Sequence, residues 1–119
     1  MTVDVARRYA QALDDCDWET ARGLLDPDVE IVRPSGRRYE GADRWIGLLA
    51  DADGFDNIES ETAARAYEQR NGQVVELKDI VHRWRDDGSV AYRSREQTVI
   101  GFRDGRIVRL ESTVEHNQP

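Results

Sequence analysis

Apolar residues recur at helical spacing near the start of the chain and at alternate positions after residue 57. Val3, Ala6, Tyr9 or Ala10, and Leu13 follow a period near 3.6, with Asp4, Arg7, Arg8 and Gln11 between them. That pattern predicts an amphipathic helix over 2–15. Asp17, a helix-start residue, stands before the amphipathic run Trp18 to Leu25, a second helix. Asp26-Pro27 ends it, because the residue before a proline is pushed out of the helical region. Val29 to Arg33 reads as a short strand and Pro34-Ser35-Gly36 as a turn. A third helix runs from Ala42 to about Ala52, with Trp45, Leu48 and Leu49 as its inner stripe.

Beyond Gly54 the period changes to two. Asn71-Gly72, Asp87-Gly88 and Asp104-Gly105 are hairpin dipeptides, dividing the remainder into strands near 57–69, 73–85, 89–103 and 106–115. The run Glu61 to Tyr67 would also suit a helix, but the meander needs a strand partner on that side. Helices followed by hairpin-linked strands predict an α+β domain, 1–119, with three N-terminal helices packed on a curved antiparallel sheet. A sheet bent around helices leaves a hollow at its wide end, a common place for a small-molecule site.

Composition narrows the functional classes. The 119 residues are 39% hydrophobic and 34% charged, as in a soluble globular chain. No apolar run has the roughly 18 residues of a membrane span, and the N-terminus lacks a signal-peptide core, so the expected location is cytoplasmic. A net charge of −7 argues against a nucleic-acid partner, which demands a basic face. Cys16, the single cysteine, excludes an intrachain disulfide and has no metal-ligand neighbours, so it reads as a small core or helix-end residue. No metal constellation, phosphate loop or Ser/His/Asp ordering is present, and the site is expected to work without a cofactor.

Several phrases carry a family resemblance: Arg8 to Trp18, Leu24 to Val29, Tyr39-Glu40-Gly41, and Phe102 to Val108. In this order and spacing the chain resembles the nuclear transport factor 2-like superfamily over nearly its whole length, including its SnoaL-like and ketosteroid isomerase-like domains. The resemblance implies a cone-shaped fold with an internal pocket. Tyr9 falls where ketosteroid isomerases carry the tyrosine that donates to the enolate oxygen. Their general base falls at Arg33, before Pro34, and their second oxyanion donor near Thr98. An always-protonated guanidinium cannot abstract a proton, so the usual steroid isomerase route is not expected. Against limonene epoxide hydrolases, Leu77-Lys78-Asp79 keeps the aspartate of an Arg-x-Asp pattern and lacks the arginine, and the other aspartate falls near Ser112.

Asp79 is the sharpest internal signal, sharing a strand face with Val75, Leu77 and Val81, while Glu76, Lys78, Ile80, His82 and Trp84 form the more polar face. If the aliphatic face lines the hollow, Asp79 is an acid or base candidate with a raised pKa; the other reading is an ion pair with an arginine such as Arg33. A two-residue turn at Asp87-Gly88 places Asp79 across from Glu96, two carboxylates that would share a proton. A three-residue loop would place Lys78 there instead. The expected catalytic set is thus Asp79, Tyr9 and Glu96, with Trp18, Arg33, Tyr92, Thr98, Leu110 and Ser112 contacting the ligand. Core packing is the alternative for Tyr92 and Phe102.

These residues predict a pocket for a small, largely apolar molecule. The favoured function is cofactor-free acid/base chemistry: isomerase, cyclase, lyase or hydrolase. The alternative is a non-catalytic ligand-binding or dimerisation module. A homodimer is expected through the sheet's outer face, assigned as Ile80, Trp84 and Val99 among His82, Arg93, Arg95 and Gln97. The tail Glu115 to Pro119 is expected to fray.

Overall fold

The first helix, α1 (Thr2–Asp14), closes where Cys16 takes a left-handed conformation, φ 54°. Its amide donates to the Leu13 carbonyl and that of Asp17 to the Ala12 carbonyl, the paired bonds that end a helix when one residue turns left-handed. Cys16 is exposed. Asp17 then caps α2 (Trp18–Gly23) by accepting from the Thr20 amide. These coordinates are a computed structural model and describe residues 2–51 and 57–117, without the side chains of 116 and 117.

Six strands follow or interleave: β1 (Leu25–Val32), β2 (Arg38–Glu40), then after α3 (Ala42–Ala50) the long β3 (Ile58–Arg70), β4 (Gln73–Trp84), β5 (Val90–Arg103) and β6 (Arg106–Asn117). The expected helix end at Ala52 lies outside the described residues. The sheet order is β2-β1-β6-β5-β4-β3, one curved sheet with the helices against it. It is antiparallel except where β1 runs parallel to β6, a pairing the hairpin signals do not carry because β1 and β6 are distant in sequence. Between Leu25 and Glu30 that ladder shifts register, at the segment containing Pro27, which has no amide to donate. β6 continues through Asn117, paired with Arg93, so the backbone expected to fray is held by β5 to that point.

The turn residues explain the registers. Asn71 and Gly72 both have positive φ, as do Asp104 and Gly105, giving two tight hairpins. Asp87 does not. Its carboxylate accepts from the Ser89 amide at 2.9 Å and hydroxyl at 2.7 Å, and the connection is the longer loop 85–89. The β4–β5 ladder carries a bulge between His82 and Arg83, so Lys78 pairs with Glu96 and Asp79 with Arg95. The core joins α1, α3 and the sheet through Ala6, Trp45, Ile46, Leu25, Val29, Ile31, Val74, Ile100 and Ile107. Among the described residues no helix is long and apolar enough to cross a membrane.

Candidate functional site

The inner sheet face and the helices enclose a hollow with two unlike walls. Ala10 and Leu13 of α1, Trp45 of α3, Ile100 and Leu110 make its apolar side. Arg65, Glu76, Lys78, Glu96, Thr98 and Ser112, in register across β3 to β6, make its polar side, and Arg33 stands at the end of β1. About 490 Å³ inside it is free of protein atoms, including the open mouth, and the centres of water-sized molecules reach about 70 Å³. At 10–15 Å³ for each water, that holds roughly five to seven waters.

The charges alternate in a chain. Glu96 lies 3.8 Å from Arg33 and 3.7 Å from Lys78; Glu76 lies 3.8 Å from Lys78 and 3.7 Å from Arg65. Both carboxylates are buried, at 7% exposure for Glu76 and 8% for Glu96. Each of these distances exceeds that of a direct hydrogen bond. On the surface of the same molecule Arg70 and Glu68 close to 2.7 Å, and Arg65 itself reaches Asp14 at 3.2 Å. The interior ions are therefore held in place by the strands that carry them and do not collapse onto one another. Glu76 also accepts a hydrogen bond from Tyr67, whose pKa burial raises and the Glu76 charge raises further. Glu96 makes no hydrogen bond among the described residues. On the neighbouring strand pair, the hydroxyls of Thr98 and Ser112 satisfy each other at 2.8 Å.

Tyr9, projecting from α1, lines the same hollow. Its hydroxyl accepts the Trp45 indole N–H at 2.9 Å, which leaves its own proton to give. Burial pushes its pKa up to about 12, partly offset by the Trp45 bond. The phenol is therefore protonated, and a donor, throughout the neutral range.

The sequence profile of the SnoaL-like domain matches residues 6–110. The chain belongs to that family. Its fold superimposes on a candidate polyketide cyclase from Xanthomonas campestris, with a TM-score of 0.76, 17% identity, and coverage of 94% of this chain and 88% of that one. An LEH-like epoxide hydrolase from M. tuberculosis gives 0.72 at 16% identity, over 96% and 82% of the two chains. A stretch of 78 residues, 63% of this chain, is 36% identical to leucine–tRNA ligase subunit alpha of Aquifex aeolicus, where it spans 12% of that protein.

In this SnoaL-like domain Asp79 is not in the hollow. It lies on the outer sheet face, half exposed, ion-paired with Arg95 at 2.9 Å. The bulge before loop 85–89 shifts the ladder by one residue, and in a sheet a one-residue slip exchanges the faces that meet. The aliphatic face of β4 thus sits outside and the charged face inside. Asp79→Asn is accordingly expected to leave thermal unfolding nearly unchanged, checked by calorimetry. A drop of many degrees would mean that the Asp79–Arg95 pair is not solvated on the outer face.

Arg33, Thr98, Leu110 and Ser112 line the hollow with Tyr9 and Glu96; Trp18 and Tyr92 are not among its lining residues. Trp18 packs against the core, and Tyr92 stacks on His82 with ring centres 4.0 Å apart. Nor is His82 on the outer face. It shares the inner face of β4, between the hydroxyls of Ser60 at 2.7 Å and Ser94 at 2.8 Å. Ile80 and Trp84 alternate onto that same side, so neither belongs to the outer patch assigned to them. Glu76, Lys78 and Arg65 were missed as site residues. Their signal was present in the charged alternation of β4, which an apolar-face-inward reading assigns to solvent.

Proposed function

We propose that this SnoaL-like domain binds a small carbonyl compound in the hollow and catalyses a cofactor-free proton transfer on it. The observation that carries this reading is Glu96: buried, opening on the hollow, held by two cations at 3.7–3.8 Å, with no hydrogen bond among the described residues. Its lone pairs are available to a substrate proton. In the proposed step a C–H proton beside the carbonyl passes to a Glu96 carboxylate oxygen. The electron pair moves onto the carbonyl oxygen, where the Tyr9 hydroxyl donates to the developing charge. Delivery of a solvent-exchanged proton from Glu96 to the same carbon gives isotope exchange, and delivery to a different carbon gives an isomer. Glu76, bonded by Tyr67 and ion-paired on two sides, positions Lys78 and Arg65. The hollow's ionic wall favours polar substrates over the largely apolar ones expected from sequence. The test is loss of α-proton signals in deuterated water, followed by NMR for a panel of short ketones and oxo acids, with and without Glu96→Gln.

We also propose that two copies pair through the outer sheet face. Ala64, Ala66 and Leu77 line a shallow depression there beside the Asp79–Arg95 pair, and Val99 alternates onto the same face. Small and aliphatic groups framed by an ion pair suit an interface. Light scattering at micromolar concentration is expected to give twice the monomer mass, and Leu77→Glu to halve it by placing a charge in the contact. A monomer mass at every concentration would overturn the pairing.

A further inference from the structure

The hollow contains three cations, Arg33, Lys78 and Arg65, against two carboxylates, Glu76 and Glu96. Lys78 stands between both acids, and Arg65 is turned toward Asp14 and Glu76. Among the described residues Arg33 has a single ionic partner, Glu96 at 3.8 Å, and its guanidinium donates no hydrogen bond to any of them. It is held over the Trp45 ring, 5.5 Å from the centroid, with about a third of its side chain exposed at the hollow's edge. Cation–π stacking of this kind fixes the guanidinium without using its in-plane N–H donors. The Nε of Arg65, deeper in the same cluster, is also without a hydrogen-bond partner.

Resting on the proton-transfer reading above, we propose that the substrate is a short-chain carboxylate-bearing carbonyl compound whose carboxylate is taken by Arg33. A fork of unused guanidinium donors matches the two oxygens of a planar carboxylate. The size agrees: space for roughly five to seven waters fits a molecule of about that many non-hydrogen atoms. With its carboxylate on Arg33, the molecule's carbonyl end reaches between Tyr9 and Glu96, both lining the same hollow. Arg33 is thereby a specificity residue, occupying the position where the resemblance to isomerases placed a base.

Isothermal titration calorimetry with 2-oxobutanoate and its neutral counterpart 2-oxobutanamide tests this directly. The acid is expected to bind about tenfold or more tightly than the amide, the difference of a charge-assisted fork. Arg33→Gln should abolish that preference, and Arg33→Lys should restore part of it, with near-parental unfolding temperatures showing that both fold. Equal affinities, a preference that survives Arg33→Gln, or no binding of the acid at tens of millimolar would each overturn the proposal. The measurement requires no turnover. Carboxylate binding without α-proton exchange upholds this assignment and removes the catalytic one. Exchange of neutral ketones without carboxylate preference does the reverse.

Discussion

Glu96→Gln is expected to slow enzyme-dependent α-proton exchange by about 10²–10⁴-fold, the usual contribution of a positioned general base. The substitution preserves shape and removes the capacity to accept a proton, together with the negative charge between Lys78 and Arg33, so unfolding of the variant is measured beside its exchange. Glu96 is the suited carboxylate because Lys78 and Arg33 orient it at 3.7 and 3.8 Å without occupying it through short hydrogen bonds. Glu76→Gln provides the internal comparison. That carboxylate is already bonded by Tyr67, and its replacement should alter binding more than the exchange step. Tyr9→Phe should cost less than Glu96→Gln, since it removes one donor to the developing oxyanion and leaves the base. If exchange proceeds equally in the parent and in Glu96→Gln, the acid/base function is wrong and the hollow is a binding site alone.

Lys78→Met should destabilise the fold by about 3 kcal/mol near pH 8, the scale for breaking a buried ionic arrangement from one side. Methionine fills a similar volume, so the loss is electrostatic. Two carboxylates, each with a side chain only 10% exposed, would face each other across β4 and β5 without the cation between them. Urea unfolding at pH 8 measures the loss. A variant as stable as the parent at pH 8 would show that water already solvates these charges. Asp79, one residue along the same strand, supplies the contrast, since its ion pair with Arg95 lies in solvent on the other face.

Local chemistry was sufficient for much of the fold. The 3.6 period of Val3, Ala6, Tyr9 and Leu13, the Asp17 cap and two of the three hairpin dipeptides act over a few residues, and each produced the expected element. The second helix, expected to reach Leu25 and end at Asp26-Pro27, closes at Gly23 instead, and Leu25 to Pro27 open β1. Tyr9, Arg33, Glu96, Thr98 and Ser112 could be placed from the resemblance and from alternation, and all line the hollow together with Leu110. The face of β4 could not. Alternation fixes which residues share a side, but not which side turns inward, and Val75, Leu77, Asp79 and Val81 look like a core face in isolation. That choice was made by the Asp87–Ser89 side-chain bonds, which build a longer loop and a bulge. It was also made by partners far away in sequence: Arg65 on β3 and Arg33 after β1 neutralise Glu76 and Glu96, so that a charged face can be buried. The helices and the long strands, with their order, depend on neighbours along the chain, whereas the short β2 forms only by pairing with β1. Only the tertiary structure decided which carboxylates face the hollow, because burying a charge depends on the opposite charges that other strands bring to it.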